Sequence, residues 1–482
     1  MTVLMSDTHF GVGKNAAGNW LATEDFRWST ELAAFLNAIN VRGGGHTDLV
    51  LNGDTFELWQ SLGGDCSAGR RADESCTEEE ALARLSRVAA QHATELKALG
   101  EFAKAGDNRL YIVPGNHDAA LLFPRVSSAA LAAIAAPAGR ACIESRGFWL
   151  SGDGKVLAEH GHQIGRDVNG YGNAWPMPFS GDNRQYLVKT WGEQFVQSYY
   201  NRWEEAYPII DNLDEEGAGV RYGLAAEGGF GAALATAEFV RFMLFGESWG
   251  QFGAALGPDG HVQWDTNAVR NKGDSFLRSA LEAGGGVDST IDTGLIALKM
   301  ADLSDADLTE LCDRLYLLQK ERTAAGIPGP EGVVQCSGHL GALYQTVFRT
   351  RDRVFKTYLE GRAQQLRDAG LSRAGETFQV YVYSHTHRAE DGFQPLSGAW
   401  SPRVFNTGAW QRLVKRSDVE ARRLADKLPK AEVLTKYTLD DLPACYSFVT
   451  VSRPGFSINT RLERWVWDKG QSTGKIQPRC AN

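Results

Sequence analysis

Five short segments constrain this chain more than anything else in it, because each sets metal-ligating side chains at the end of an apolar run. They are Asp7-Thr8-His9, Gly53-Asp54, Gly115-Asn116-His117-Asp118, His160-Gly161-His162 and His385-Thr386-His387, and six of the ten histidines fall within them. Asp, Asn and His offer oxygen and imidazole donors, a set that suits Zn, Mn or Fe rather than a thiolate-loving ion. Val3-Leu4-Met5 precedes Asp7, Leu49-Val50-Leu51 precedes Asp54, Tyr111-Ile112-Val113 precedes Asn116, and Val380-Tyr381-Val382 precedes His385. Residues so distant in sequence converge only if these runs are neighbouring strands of a layered α/β core with its ligands at the carboxyl ends.

The wider pattern supports such a core. Strand signals at Thr2–Ser6, Asp48–Asn52, Leu110–Val113, Val156–Glu159, Phe378–Tyr383, Arg403–Asn406, Tyr446–Val451 and Arg461–Trp467 alternate with helical ones. One helix is expected over Asp25–Ile39, with Phe26, Leu32, Phe35, Leu36 and Ile39 on a single stripe. Another opens at the capping box Thr77-Glu78-Glu79-Glu80 and runs to about Ala105, after a Gly-rich loop at Gly63–Ser75. The spacing divides the chain into a core at 1–165 and 376–482 and a mainly helical insertion at 166–375. Within the insertion, helices are expected over Ala232–Phe245, from Leu303 to about Thr323, and over Tyr344–Asp368. Connectivity places this insertion at the rim of the site as a cap. Its aromatics, among them Trp175, Tyr186, Trp191, Tyr199, Tyr200, Trp203 and Tyr207, would supply an apolar pocket wall with a few polar tips.

Composition excludes more than it selects. A formal net charge of −9 argues against a protein that coats nucleic acid or anionic membrane. Phosphate substrates stay open, since bound cations override the global balance locally. No transmembrane segment is expected, because the most apolar helical stretch is short and carries Glu238 and Arg241. Met1 leads straight into the first strand without a signal-peptide pattern, and seven cysteines form no C-x-x-C pair. Together these read as reduced thiols in a cytoplasmic protein, with a Cys66–Cys76 pair as the alternative. His46, His92, His261 and His339 read as surface or packing residues, and Gly11-Val12-Gly13-Lys14 lacks the spacing of a phosphate-binding loop.

Taken in order, the five segments resemble the signature of the calcineurin-like metallophosphoesterases, which runs D-x-H, G-D, G-N-H-D/E, H and G-H-x-H. The resemblance implies a two-sheet α/β sandwich flanked by helices and a pair of divalent or trivalent metal ions, Mn, Fe or Zn, with Mn the expected activator. One ion would take Asp7, His9, Asp54 and His387; the other would take Asp54, Asn116, His160 and His385. Asp54 would bridge them, holding them roughly 3.5–4 Å apart. His160 is the expected ligand of its segment, with His162 as the alternative or as a substrate contact. The nucleophile would be a water between the metals, His117 the acid for the leaving oxygen, and Asp118 the residue that orients His117. Ser384 departs from the pattern, which has glycine there. Gly53–Trp59 and His385–Arg388 look like UDP-2,3-diacylglucosamine pyrophosphatases, and Ser6–Gly11 also looks like the exonucleases of double-strand-break repair. The implied activity is hydrolysis of phosphate esters or anhydrides, with a small organic phosphate bearing a sizeable group as the substrate that the aromatic-walled cap would select. A nuclease on the same core and a non-catalytic scaffold are the alternatives, with nucleic acid disfavoured by the charge.

Overall fold

A computed structural model of the protein describes residues 1–60, 66, 74–164, 169–180, 185–190, 192–193, 196–197, 204, 207, 209–213 and 340–480, apart from 373–376, 397, 399, 430–431, 454 and 456. For residues 340–353, 416 and 417 it describes the backbone alone.

The core is mixed α/β and built on two sheets. The strands of the first are β1 (Thr2–Met5), β2 (Asp48–Asn52), β4 (Arg109–Val113), β5 (Ala141–Ile143), β13 (Cys445–Ser452), β14 (Asn459–Asp468) and β15 (Thr473–Gln477). Their order is β15-β14-β13-β1-β2-β4-β5. β1, β2, β4 and β5 run parallel, and β13 joins β1 antiparallel. The second sheet comprises β6 (Trp149–Leu150), β7 (Val156–Ala158), β10 (Val380–Tyr383), β11 (Glu390–Phe393) and β12 (Arg403–Asn406), in the order β11-β12-β10-β7-β6. β7, β10 and β12 are parallel at its centre.

Continuous apolar runs arise because these parallel strands are covered on both faces. Period-2 alternation sends Leu4, Val50, Val113, Val449 and Val451 of the first sheet inward, where they meet Val156, Ala158, Val380, Val382 and Phe405 of the second. The sheets therefore face each other. Val3, Met5, Leu49, Leu51, Leu110 and Ile112 point outward under α1 (Ser29–Arg42), α2 (Glu78–Gln91), α3 (Ala93–Lys104) and α4 (Pro124–Ile134). On the other side Leu157, Tyr381, Tyr383 and Val404 lie under Phe355, Leu359, Ala363 and Leu366 of α5 (Leu340–Asp368).

Several expectations change in detail. Asp48–Asn52 and Arg403–Asn406 are strands with the expected bounds. The first helix begins at Ser29 rather than Asp25, because Glu24 turns back to accept Gly13 N and Phe26 N (2.9 Å). The Thr77–Glu80 capping box is formed, but the single expected helix breaks at His92 (φ −103, ψ 28). That break lets the buried imidazole face Glu24 (3.3 Å) and Glu95 (3.6 Å) and stack on Phe10. Part of the Gly63–Ser75 loop lies outside the described residues, and Ser75 belongs to β3 (Glu74–Thr77), which pairs with β9 (Tyr186–Val188), itself paired with β8 (Phe179–Ser180), in a third sheet.

The interval 166–375 is not uniform. Ala232–Phe245, Leu303–Thr323, Trp191, Tyr199, Tyr200 and Trp203 lie outside the described residues. Its first part contributes β8 and β9. Its last part, α5, is a flanking layer of the core rather than a roof over the strand ends.

Reduced thiols are corrected too. Cys66 pairs with Cys76 and Cys445 with Cys480, while Cys142 is free. The Cys66–Cys76 alternative, two thiols ten residues apart, is the pair that forms; the Cys445–Cys480 pairing does not follow from local spacing, because β13–β15 must form a meander before Cys480 reaches the start of β13. No described helix is long and apolar enough to cross a membrane.

Trp410 shows how the layers lock. It is fully buried, stacks on Tyr446 at 4.3 Å, sits 5.4 Å from Phe35 of α1, and its backbone N–H donates to Ser6 O (2.9 Å). Trp410→Ala should cost about 3–5 kcal/mol of unfolding free energy. Urea denaturation checks this as a lower midpoint at unchanged slope.

Candidate metal centre

All five segments meet where the parallel strands end. Past β1 and β2 the backbones stay paired: Asp7 N donates to Gly53 O (3.1 Å), His9 N to Asp54 O (3.0 Å) and Phe10 N to Thr55 O (2.9 Å). Side chains that would alternate along a strand are brought to one side by left-handed backbone. Of the eight described non-glycine residues with positive φ, five are Asp7, His9, Asp54, His385 and His387. Each such residue costs about 1–2 kcal/mol, and strain of this kind concentrates at functional sites. Gly115 has to be glycine because a Cβ would stand 2.1 Å from Asp54 Oδ1; at Gly53 (φ 96) a Cβ would stand 2.1 Å from His160 Nδ1.

Three groups of donors result among the described residues, each with ligand atoms within 4.8 Å of one another: Asp7, His9 and His387; Asp54, His160 and His385; and His9, Glu57 and His117, the last joined by hydrogen bonds of both imidazoles to Glu57. His387 Nε2 is 3.3 Å from Asp7 Oδ1. Asp54 Oδ2 lies between the first two groups, 2.9 Å from His160 Nε2 and 3.9 Å from His9 Nε2. His160, not His162, is in the cluster. His160 Nδ1 donates to Asn52 O (3.1 Å), turning Nε2 toward Asp54. His162 instead packs edge-on against Trp175 (4.4 Å) and Tyr171 (5.9 Å). Asn116 is fully buried, next to His117, whose backbone N–H donates to Asp54 Oδ1 (2.9 Å). The first part of the 166–375 interval reaches the cluster: Asn169 Nδ2 donates to His385 Nε2 (3.4 Å) and Tyr171 OH to Asn116 O (3.3 Å).

Metal ions fit these donors. Asp7 Oδ1 and His160 Nε2 face other members of the cluster, His387 Nε2 (3.3 Å) and Asp54 Oδ2 (2.9 Å), while His9 Nε2 and Asn116 Oδ1 are buried without a hydrogen-bond partner in the protein. Buried polar atoms are rarely left so, and these are the atoms that N/O coordination would use.

The surrounding residues were less visible in the sequence. Glu57 was not among the candidates, yet its buried carboxylate accepts from His9 Nδ1 (3.0 Å) and His117 Nδ1, and from Trp59 N (2.7 Å) and Gln60 N (3.0 Å). It thereby fixes which nitrogen of each imidazole faces the cluster. The only signal for it was the Gly53–Trp59 resemblance. Contrary to expectation, Asp118 does not orient His117 but accepts from Thr55 N (2.8 Å), Phe56 N (3.2 Å) and Gly115 N (2.6 Å). Those bonds consume its oxygens in holding the turn behind Asp54. Trp59 stacks on the His117 ring at 4.0 Å. Ser384 joins the site through its hydroxyl, which takes a bond from Asn52 Nδ2 (2.8 Å) and meets Thr407 Oγ1 (2.7 Å). Thr407 Oγ1 in turn meets Ser6 Oγ (2.7 Å), which donates to Asp7 Oδ2.

No protein-family model and no curated protein matches this chain.

Electrostatics follow from the packing. Burial opposes charge on Asp54, but His160, His117 and His9 outweigh it and hold the carboxyl well below its ordinary range. Asp7 is lowered likewise, against burial, by His387 and His160. Burial lowers His117, yet Glu57 and Asp54 push it up to about 9; His160 reaches about 9 against burial through Asp54 and Asp7. Burial and the Asp54 charge raise Asp118 to about 7.

Two outcomes follow. Glu57→Gln keeps the shape but weakens the grip on His9, so manganese uptake measured calorimetrically should fall about 10–100-fold. Because His160 holds a proton below about pH 9 and a cation needs its neutral form, uptake should expel protons and tighten as pH rises. Calorimetry near neutral pH in two buffers of different ionisation enthalpy checks the sign; net proton uptake contradicts it.

Proposed function

We propose that the chain is a dinuclear-metal hydrolase of phosphate esters or anhydrides, built on a metallophosphoesterase fold. The observation that carries this reading is the position of Asp54 Oδ2 between His9 of one donor group and His160 of another. One carboxylate between two sets of N/O donors is the arrangement that two-metal phosphoryl chemistry needs. Asp7, His9, His387 and Asp54 would hold one ion; Asp54, Asn116, His160 and His385 would hold the other. Bound there, the ions would supply Lewis-acid charge to the phosphoryl oxygens and make a water nucleophilic at neutral pH.

The protein's own residues do the rest. His117 is the proton donor. Glu57 accepts at Nδ1, which leaves Nε2 for the leaving-group oxygen, and the neighbouring carboxylates keep the ring protonated at neutral pH. Its side chain is 18% exposed, whereas that of His160 is 0% exposed. A proton donor must reach substrate; a ligand need not. Trp59 covers one face of the ring, limiting its tilt and shielding it from water. An oriented acid of this kind contributes about 10²–10⁴-fold.

A panel of chromogenic phosphate mono- and diesters with added manganese tests the reading; no hydrolysis of any by the metal-loaded protein counts against it. Asp54→Asn should abolish hydrolysis and lower bound metal, and two ions at wild-type occupancy in that variant would contradict the bridging role. His117→Ala should keep both ions and lower kcat by about 10²–10⁴-fold, less for substrates with good leaving groups. Equal slowing of good and poor leaving groups counts against the acid role.

A further inference from the structure

One buried ion pair stands directly behind a ligand. Glu159 precedes His160, and neighbouring residues at a strand end face opposite sides of the sheet. His160 enters the cluster while the Glu159 side chain leaves by the outer face, toward α5. There Arg362 holds it with a fork: Nε donates to Oε1 (3.2 Å) and Nη2 donates to Oε2. Tyr381 OH also donates to Oε1 (2.8 Å). The side chains are 3% exposed for Glu159 and 14% for Arg362. Arg362 Nη1 donates to Gln365 Oε1 (2.8 Å), and the guanidinium lies 5.3 Å from the Tyr358 ring centroid. On the inner side Asn52 Nδ2 donates to Glu159 O (2.8 Å), and within the sheet Ser384 N, just past β10, donates to His160 O (2.8 Å). Glu159 is thus held by its carbonyl on one side and by its carboxylate on the other.

The geometry points to Arg362 as a positioning residue for His160: its fork on Glu159 fixes the end of β7 and with it the imidazole of the Asp54–His160–His385 group. This rests on the two-ion reading above. Removing the guanidinium leaves a carboxylate buried with only the Tyr381 and Tyr358 hydroxyls beside it, and a buried charge without a countercharge is costly enough to draw the strand end toward water. Metal coordination tolerates displacements of only about 0.2 Å, so the ligand suffers before the fold does. Lysine keeps the charge but not the fork.

The test is calorimetric titration of the chelator-stripped, full-length protein with manganese, with bound metal confirmed by elemental analysis. Wild type is expected to show two binding steps. Arg362→Ala should weaken by about 10–100-fold the step that His160→Ala removes, and leave the other within about twofold. Arg362→Lys should fall between, which keeps the test usable if the alanine variant does not fold. The double variant Glu159→Gln with Arg362→Met removes the lone charge, so its unfolding midpoint should recover while the weakened step stays weak. Recovery of metal affinity in step with stability would mean that the pair only supports the fold, and overturns the proposal. Two unchanged steps in Arg362→Ala, or equal weakening of both, overturn it as well. A wild type that takes up no ion overturns the reading of the centre and this inference with it; normal wild-type uptake with an indifferent Arg362 overturns this inference alone.

Discussion

Asp7 and Asp54 carry their negative charges into the seam between the two sheets, where they are 0% and 2% exposed. Carboxylates withdrawn from water at that depth cost several kcal/mol each unless opposite charge and directed hydrogen bonds compensate. Imidazoles supply the compensation, and each comes from a different strand end: His387 at 3.3 Å from Asp7, His160 at 2.9 Å from Asp54. Whatever else the chain does, it must keep these ends in register. The five left-handed residues, the glycine at 115 that leaves room for Asp54, and the Asp118 bonds that hold the next turn all serve that one requirement. The same arrangement suits cations, because an ion that displaces the imidazole protons meets both buried carboxylates and the nitrogens that faced them.

The packing around the seam explains its rigidity. Each sheet buries one face against the other and the opposite face under helices, so no ligand-bearing strand has a free surface along which to shift. Side chains mounted on such strands are held more closely than side chains on loops. Glu57 adds a local constraint by bonding two imidazoles at once, which couples the orientation of a ligand, His9, to that of the acid, His117. A change felt by one ring is transmitted to the other.

Much of this was legible in the sequence, and for a physical reason. Runs such as Leu49-Val50-Leu51 announce strands buried on both faces, and ligand types just beyond them announce a site at the strand ends. The strands behind Asp7, Asp54, Asn116 and His385 and the Thr77 capping box all have local causes, so a local reading finds them. What escaped depends on contacts made across the fold. Glu57 looks like any acidic residue until His9 and His117 converge on it. The break at His92 serves a contact with Glu24, far away in the chain. Short edge strands such as β5 and β6 have too few residues to show a period, and α5 has a helical sequence that does not reveal which layer it covers. Cys445 and Cys480 meet only because three strands form a meander between them.

Ser384 shows how far a single departure from a pattern can be followed. Asn52 Nδ2 must be the amide nitrogen, since it donates to the carbonyl of Glu159, and it can only donate to Ser384 Oγ. At the far end, Ser6 Oγ has one proton for two acceptors, Asp7 Oδ2 and Gly408 O (2.9 Å), and Thr407 Oγ1 reaches Gly408 O (3.3 Å) and Tyr383 O (3.4 Å) as well as Ser6 and Ser384. When Ser6 donates to Asp7, Thr407 can donate to Ser6 and Ser384 to Thr407, so that the hydroxyls line up from Asn52 to Asp7. Such a line polarises cumulatively and brings a donor to Oδ2 of Asp7, while Oδ1 faces His387 Nε2 (3.3 Å). Glycine at 384 would break the row in its middle, whereas serine joins the ends of β1, β2, β10 and β12 through one line of protons. The hydroxyl that looked like a tolerated substitution therefore ties both sheets to the carboxylate at the seam.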